Sequence, residues 1–149
     1  GPRQSARAII PTIITQILSG TKTIKLGDVS PTRDFNYVSD TCDGLINISE
    51  AEKTEGKTIN IGSNTETSIK ELLEKIKSFM GSDIEFIFDP ERVRPEASEV
   101  FRLVCDNSLI KDITDFKPKI SLDRGLKKTI EWISEPNNLA IYKSEIYNV

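Results

Sequence analysis

The stretch Ser30–Leu45, SPTRDFNYVSDTCDGL, sets an arginine and an aspartate against an aromatic run, then passes through a polar turn into a helix start. Phe35–Val38 has the composition of a strand. Ser39 or Asp40 can cap the helix that follows and carries Cys42, Leu45 and Ile46. Asp40 and Asp43 therefore read as a cap and a first-turn partner of the helix dipole, not as an acid/base pair. Arg33 is the unusual residue, because it places a full positive charge at the mouth of an apolar strand.

Working outward, Ala8–Leu18 has apolar residues at 9, 10, 13, 14, 17 and 18, which predicts a helix with a broad buried face. Pro11 falls in its first turn and Gly20 is placed to stop it. Thr23–Leu26, Thr58–Ile61, Ile84–Phe88 and Phe101–Cys105 read as strands. Ser68-x-x-Glu71 is a capping box opening a helix whose face is Ile69, Leu72, Leu73, Ile76, Phe79 and Met80, with Gly81 as its end. A short helix is expected around Asn107–Ile113. Ser121 caps the last strong helix, with Leu122, Leu126, Ile130 and Ile133 inward. Helices and strands in alternation predict an α/β fold, a small sheet with flanking helices. Residues 1–135 form the expected lobe, and 136–149 a loosely attached tail with room for a short helix.

Composition narrows the function. The chain has 149 residues, 37% hydrophobic and 29% charged, with a formal net charge of −3, which speaks against a general nucleic-acid surface. It contains no histidine, so no Ser-His-Asp or Cys-His machinery and no histidine metal ligand can be built, and no metal is expected. Cys42 and Cys105 lack zinc-type spacing and sit in apolar-patterned segments. Two small buried thiols in a reduced, cytoplasmic setting are expected, a disulfide being the lesser reading. The apolar run after Arg3 and Arg7 is broken by Pro11, Thr12, Thr15 and Gln16. It is too short to span a bilayer, so no membrane partner is expected.

Glycine-loop phosphate cradles (GxGxxG, GxxxxGK[ST]) and a Tyr-x-x-x-Lys pair are both absent from the sequence. Carboxylates such as Glu71 and Glu74 lie beside lysines on helix faces, as solvated i,i+4 partners do. Two of the seven arginines, Arg33 and Arg94, lie in proline-containing loops at strand ends, where α/β folds gather ligands. A guanidinium fork matches phosphate oxygens, so two of them converging could grip a diphosphate. Pattern alone favours a solvated surface role for both arginines.

Taken in order, GPRQ…IIPTIITQILSG (1–20), IKLGDVSPTRDFNYVSDTCDGL (24–45), GKTINIGSNTETSI (56–69) and RPEASEVFRLVCDNSLIKDITDFKPKISLDRGLKKTIEWI (94–133) resemble the extended short-chain dehydrogenase/reductases. The likeness is to the C-terminal, substrate-binding half of NAD-dependent nucleotide-sugar epimerases and 4,6-dehydratases. Within them it is nearest to dehydratases of nucleotide-activated N-acetylhexosamines, as in legionaminic-acid-type pathways. The resemblance implies that Arg33 and Arg94 contact the pyrophosphate of a nucleotide sugar. By the same resemblance Ile10, Pro11, Lys25 and Leu26 lie near the base, and Asn60 near the phosphates. Glu96 stands where the family has glycine, which weakens Arg94 more than Arg33.

The resemblance further implies that the NAD loop and the catalytic residues precede the GPRQ motif with which this chain begins. The chain alone is then expected to be inactive, with no catalytic residue and no cofactor of its own, NAD serving the complete enzymes. Two functions are open: a substrate-binding fragment with residual affinity for a nucleotide sugar, or a non-catalytic assembly module. An exposed strand edge predicts a homo-oligomer or a covering partner.

Overall fold

The computed structural model describes residues 1–93 and 100–142; Arg94 and Glu96 lie outside the described residues, as do 143–149. Helix α1 spans Ile9–Leu18 and is buried through Ile10, Ile13 and Ile14. Pro11 is its third residue, where a backbone N–H has no intrahelical partner to lose. Gly20, at φ 69°, takes the left-handed conformation that turns the chain into strand β1, Thr23–Leu26. Gln16 is buried and aims its amide at that strand. Lys25 N donates to its Oε1 at 2.9 Å, and its Nε2 donates to Lys25 O at 3.4 Å. One side-chain amide thus supplies partners that a further strand would otherwise provide.

Strand β2 is Thr32–Arg33 and helix α2 is Val38–Glu50. Strand β3, Thr67–Ser68, leads directly into helix α3, Ile69–Met80. The Ser68/Glu71 capping box forms in both directions, and Gly81 at φ 60° closes the helix. Strand β4, Glu85–Phe88, is followed by a 3-10 turn at Pro90–Arg92. Strand β5 is Arg102–Leu103, helix α4 Ser108–Ile113, helix α5 Leu122–Ser134 and helix α6 Pro136–Leu139. Two small sheets result. β1 runs parallel to β4, with Thr23 opposite Glu85 and Leu26 opposite Phe88. β2 is central in the other, antiparallel to β3 and parallel to β5. The core is the contact of α1, α3 and α5 beneath β1, built from Ile13, Ile14, Ile24, Leu72, Leu73, Ile76, Leu126 and Ile133.

Several sequence expectations shift. The strand around Arg33 lies earlier than Phe35–Val38: Asp34 N makes the last ladder bond, to Leu103 O at 2.9 Å, and α2 already begins at Val38. The chain leaves the ladder there because the Asp34 carboxylate is taken up by another loop. Neither Ser39 nor Asp40 caps α2. Asp40 is 1% exposed and accepts the backbone N–H groups of Lys119 and Ile120, each at 3.0 Å, so it ties α2 to the approach of α5. Asp43 pairs with Lys119 Nζ at 2.7 Å. Thr58–Ile61 forms no ladder among the described residues; a strand exists only where a neighbour meets its backbone groups.

Cys42 is exposed and Cys105 half-buried, and both are free thiols, so the buried pair expected from patterning does not form. Burial pushes the Cys105 thiol up from its ordinary pKa, with Asp34 and Asp106 adding to the shift. The segment after Pro136 is docked as far as Tyr142 instead of loose. Tyr142 packs edge-on to Trp132 with centroids 6.4 Å apart, and its hydroxyl donates to Gln4 O at 2.9 Å. No helix among the described residues is long and apolar enough to cross a membrane.

Candidate functional site

Arg33 is held in the middle of a three-stranded sheet, with Thr67 on one side and Leu103 on the other. Its Nη1 donates to Thr32 O at 2.8 Å. The next residue along the strand does a separate job. Asp34 accepts Ser63 N at 3.1 Å, Asn64 N at 2.8 Å, Cys105 N at 3.3 Å and the Ser63 hydroxyl at 2.5 Å. One carboxylate therefore fastens the 62–65 loop and the end of β5 to β2. Gly62 permits it, since a Cβ there would sit 2.4 Å from that of Cys105. Arg33 is thereby mounted on a strand whose exit is fixed by four charge-assisted hydrogen bonds.

The guanidinium side of β2 opens on a hollow of about 480 Å³. Apolar walls come from Ile9, Leu26, Ile69, Val93 and Phe101. Three arginines stand around it: Arg7 before α1, Arg33 in β2 and Arg92 in the 3-10 turn. Arg92 Nε pairs with Asp89 at 3.1 Å. That turn is stitched to the end of β1 by Asp89 N donating to Leu26 O at 2.8 Å. Gly27 makes the approach possible: a Cβ there would lie 2.5 Å from the Arg92 carbonyl oxygen, so only glycine lets the turn close against the strand. Asp28 is at the rim, and the backbone N–H of Ser30 holds its carboxyl below the usual range, keeping it ionised.

The N-terminus of α1 also opens here. Ala8, its cap residue, offers no side-chain acceptor, and both Ala8 and Ile9 line the hollow. The positive end of a helix and guanidinium groups favour the same ligand charge. An apolar chamber with cations at its edge suits a ligand with a flat or greasy body and an anionic group.

Of the residues singled out from sequence, Arg33 and Leu26 line this hollow. Arg94 lies outside the described residues. Ile10 and Pro11 are buried in α1, and Ile10 borders a different, narrow cleft beside Phe35 and Tyr37. Their neighbours Ile9 and Thr12 face the hollow instead. Lys25 is exposed, with its backbone engaged by Gln16, and Asn60 is exposed away from the lining. Arg7, Arg92, Ile69 and Phe101 were not anticipated. A weak signal existed for Arg92, which is two residues before Arg94 in RVRPEA.

Comparison with known proteins locates this arrangement. The family model for GDP-mannose 4,6 dehydratase matches residues 1–129. The chain belongs to that family. Its relatives are the NAD-dependent extended short-chain dehydrogenase/reductases that the motifs resemble. A UDP-N-acetyl-alpha-D-glucosaminuronate decarboxylase of Bacillus cytotoxicus is 36% identical over 132 residues, 87% of this chain and 41% of that protein. A UDP-glucose 4-epimerase of Mycolicibacterium smegmatis is 30% identical over 135 residues, 89% of this chain and 42% of the relative.

Solved structures agree in fold. UDP-glucuronic acid 4-epimerase from Bacillus cereus, in complex with UDP-glucuronic acid and NAD, superposes with a TM-score of 0.80 at 26% identity, over 91% of this chain and 42% of that one. UDP-glucose 4-epimerase from Thermotoga maritima, with UDP-glucose, gives 0.77 at 28% identity, over 89% and 42%. This chain thus spans about two-fifths of the length of the relatives it matches.

Proposed function

We propose that the chain is a substrate-binding part of a nucleotide-sugar dehydratase or epimerase, and that the hollow beside β2 takes the diphosphate of a nucleotide sugar. The observation that carries this reading is the ring of Arg7, Arg33 and Arg92 around an apolar chamber that the helix α1 N-terminus also faces. Membership in a family with relatives solved around UDP-glucose and UDP-glucuronic acid supplies the ligand class. Arg33 is the central cation, since its strand is locked by Asp34 and by two ladders. Leu26, Ile69 and Phe101 offer apolar surface for a base or sugar face. Arg94, outside the described residues, joins Arg33 in this reading on the strength of its motif, and Asn60, Ile10, Pro11 and Lys25 stay as motif-based candidates.

NAD enters through the relatives, since the Bacillus cereus UDP-glucuronic acid 4-epimerase was solved with it. Its pyrophosphate needs a strand, a glycine-rich loop and a helix start in succession. Here β1 runs through Gly27-Asp28 into β2, and the sequence has no GxGxxG, so those residues do not fit the cofactor and no step is routed through it. No residue of this chain is given a catalytic role. Binding, orienting and charge neutralisation are what the described side chains can supply.

Calorimetric titration with UDP-glucose tests the proposal. Saturable binding is expected, weakened at least about tenfold in Arg33→Ala, the loss of about one charge-assisted contact. Absence of saturable binding to the unaltered chain would falsify the reading. The exposed apolar side chains of Phe88, Phe101 and Leu103 favour a second reading, an assembly module that binds another copy or a covering partner. Light scattering separates the two: a concentration-dependent oligomer without nucleotide-sugar binding supports the second, and a binding-competent monomer removes it.

A further inference from the structure

The sheet of β1 and β4 has one closed edge and one open edge. On β1 the outward backbone groups belong to Lys25, and the Gln16 amide takes both, at 2.9 and 3.4 Å. On the far side β4 ends the sheet among the described residues. Asp89 N donates inward to Leu26 O at 2.8 Å. Alternation along the strand therefore turns the N–H and C=O groups of Glu85 and Ile87 toward β1 and those of Phe86 and Phe88 outward. The side chains are open as well: Phe86 is 36%, Ile87 45% and Phe88 61% exposed. Proline, glycine and lysine, which blunt natural edges, are all absent from residues 84–88, and Glu85 is the one charge there.

The sequence of this edge selects its partner. A second copy related by a two-fold axis perpendicular to the sheet presents the same edge antiparallel and keeps each face of the sheet on its own side. The pleat then allows only registers that keep inward residues opposite inward residues. With Phe86 opposite Phe86 of the second copy, Ile84 meets Phe88 and Glu85 meets Ile87, so no charges are opposed. The outward groups of Ile84, Phe86 and Phe88 then fall on hydrogen-bonding positions. Ile84 N gives up only a 3.3 Å bond to Ser82 Oγ. Sliding one way sets Glu85 against Glu85. Sliding the other sets it against Asp89 and brings Pro90, which lacks an N–H, opposite Ile84.

Both faces of the joined sheet are complementary in that register. Phe86 and Phe88 lie across the ladder from the buried Ile24 and Leu26, so in both copies they extend the core face of β1 as one apolar row. On the opposite face Lys25 stands beside Ile87. It is two strand spacings, roughly 9.6 Å, from Glu85 of the second copy, within reach of two long side chains.

We propose that the outer edge of β4 is a docking surface for a second copy of this chain, joined antiparallel about Phe86 into one continuous sheet. Gln16 closes both ends of that sheet, so assembly stops at a dimer. A ladder over residues 84–88 is short and buries less than a standard interface, which places the dimer among weak, concentration-dependent associations. The inference does not depend on the nucleotide-sugar reading, because Glu85–Phe88 do not line the hollow. It rests on the assembly reading, and supplies that reading with a surface and a register.

Sedimentation of the 149-residue chain up to about 1 mM tests the surface. A monomer–dimer equilibrium is expected, with no larger species. In hydrogen exchange the amides of Ile84, Phe86 and Phe88 are expected to gain protection as concentration rises, while those of Glu85 and Ile87, which face β1, stay unchanged. Phe86→Lys and Phe86→Glu each set like charges at the two-fold axis. Each is expected to weaken the dimer at least about tenfold and to leave the thermal midpoint of the dilute chain near the unaltered value. An equimolar mixture of the two should recover a heterodimer, which variants that merely misfold would not do. A dimer that survives both substitutions, or variants that stay apart when mixed, overturns the inference while the assembly reading stands. A chain that remains monomeric throughout overturns both, and leaves the nucleotide-sugar reading to its own titration.

Discussion

Helices α3 and α2 are nearly equal in length and lie on opposite terms with solvent. α3 buries Leu72, Leu73 and Ile76 completely against α1 and α5. α2 leaves Leu45 58% and Ile46 53% exposed, and what it buries is an aspartate and a glycine. The first is held by removal of apolar surface from water. The second is held by polar tethers, Asp40 to Lys119 and Ile120 and Asp43 to Lys119, and by the close apolar approach of Ile61 to Gly44. A single chain can therefore carry one well-buried core and one element whose apolar side chains stay exposed.

The largest effect expected from the comparison is in the core. Leu73→Ala should cost about 2–5 kcal/mol in denaturant unfolding, the loss of a fully buried leucine together with the cavity left behind. Leu45→Ala, on the exposed side of α2, should stay within about 0.5 kcal/mol of the unaltered chain. Equal costs at the two positions would break the contrast between the helices.

Next comes the tether. Asp40→Ala leaves the Lys119 and Ile120 N–H groups without their acceptor in a site that water hardly reaches, at an expected cost of about 1–3 kcal/mol. The location of the loss is more telling than its size. Hydrogen exchange should speed at Lys119, Ile120 and along α2, while the α3 amides keep their protection. Uniform loss of protection would show that α2 is not separately held.

What could be read from sequence divides along the same line. α1, α3 and α5 were legible to within a residue or two because their signals are local: helical spacing of isoleucines and leucines, the Ser68/Glu71 box, Ser121 and Gly81. The start of α2 and the fate of Thr58–Ile61 were not, because each depends on partners far along the chain. Asp40 and Lys119 are 79 positions apart, and nothing near Asp40 signals that its carboxylate is taken. The site shows the same split. Arg33 stood out by its setting between proline and an aromatic run. Arg7 and Arg92 join it through the packing of α1 and the closure of the 3-10 turn on Gly27, contacts that no local pattern encodes. Among the residues that the motifs nominate, Ile10 and Pro11 do not line the hollow, whereas their neighbours Ile9 and Thr12 do.

The smallest expected effect concerns how α3 begins. Ser68 N donates to Glu71 Oε2 at 2.9 Å, and Ser68 Oγ accepts Glu71 N at 3.1 Å. The Ser68 backbone N–H is the main reason the Glu71 carboxyl lies below its ordinary pKa, with the Ser68 hydroxyl next and Lys75 adding a little. A carboxyl whose pKa is depressed on folding stabilises the folded state above its unfolded pKa and loses that contribution as pH falls through the folded one. The first turn of α3 should accordingly weaken on acidification below the usual glutamate range, and Glu71→Gln should flatten that acid limb. Carboxyl titration followed by NMR checks the cause: Ser68→Ala removes the hydroxyl and loosens the box, so Glu71 should move back toward its ordinary value. An unaltered chain in which Glu71 already titrates normally would mean the box is not closed in solution, and α3 would then owe its start to apolar burial alone.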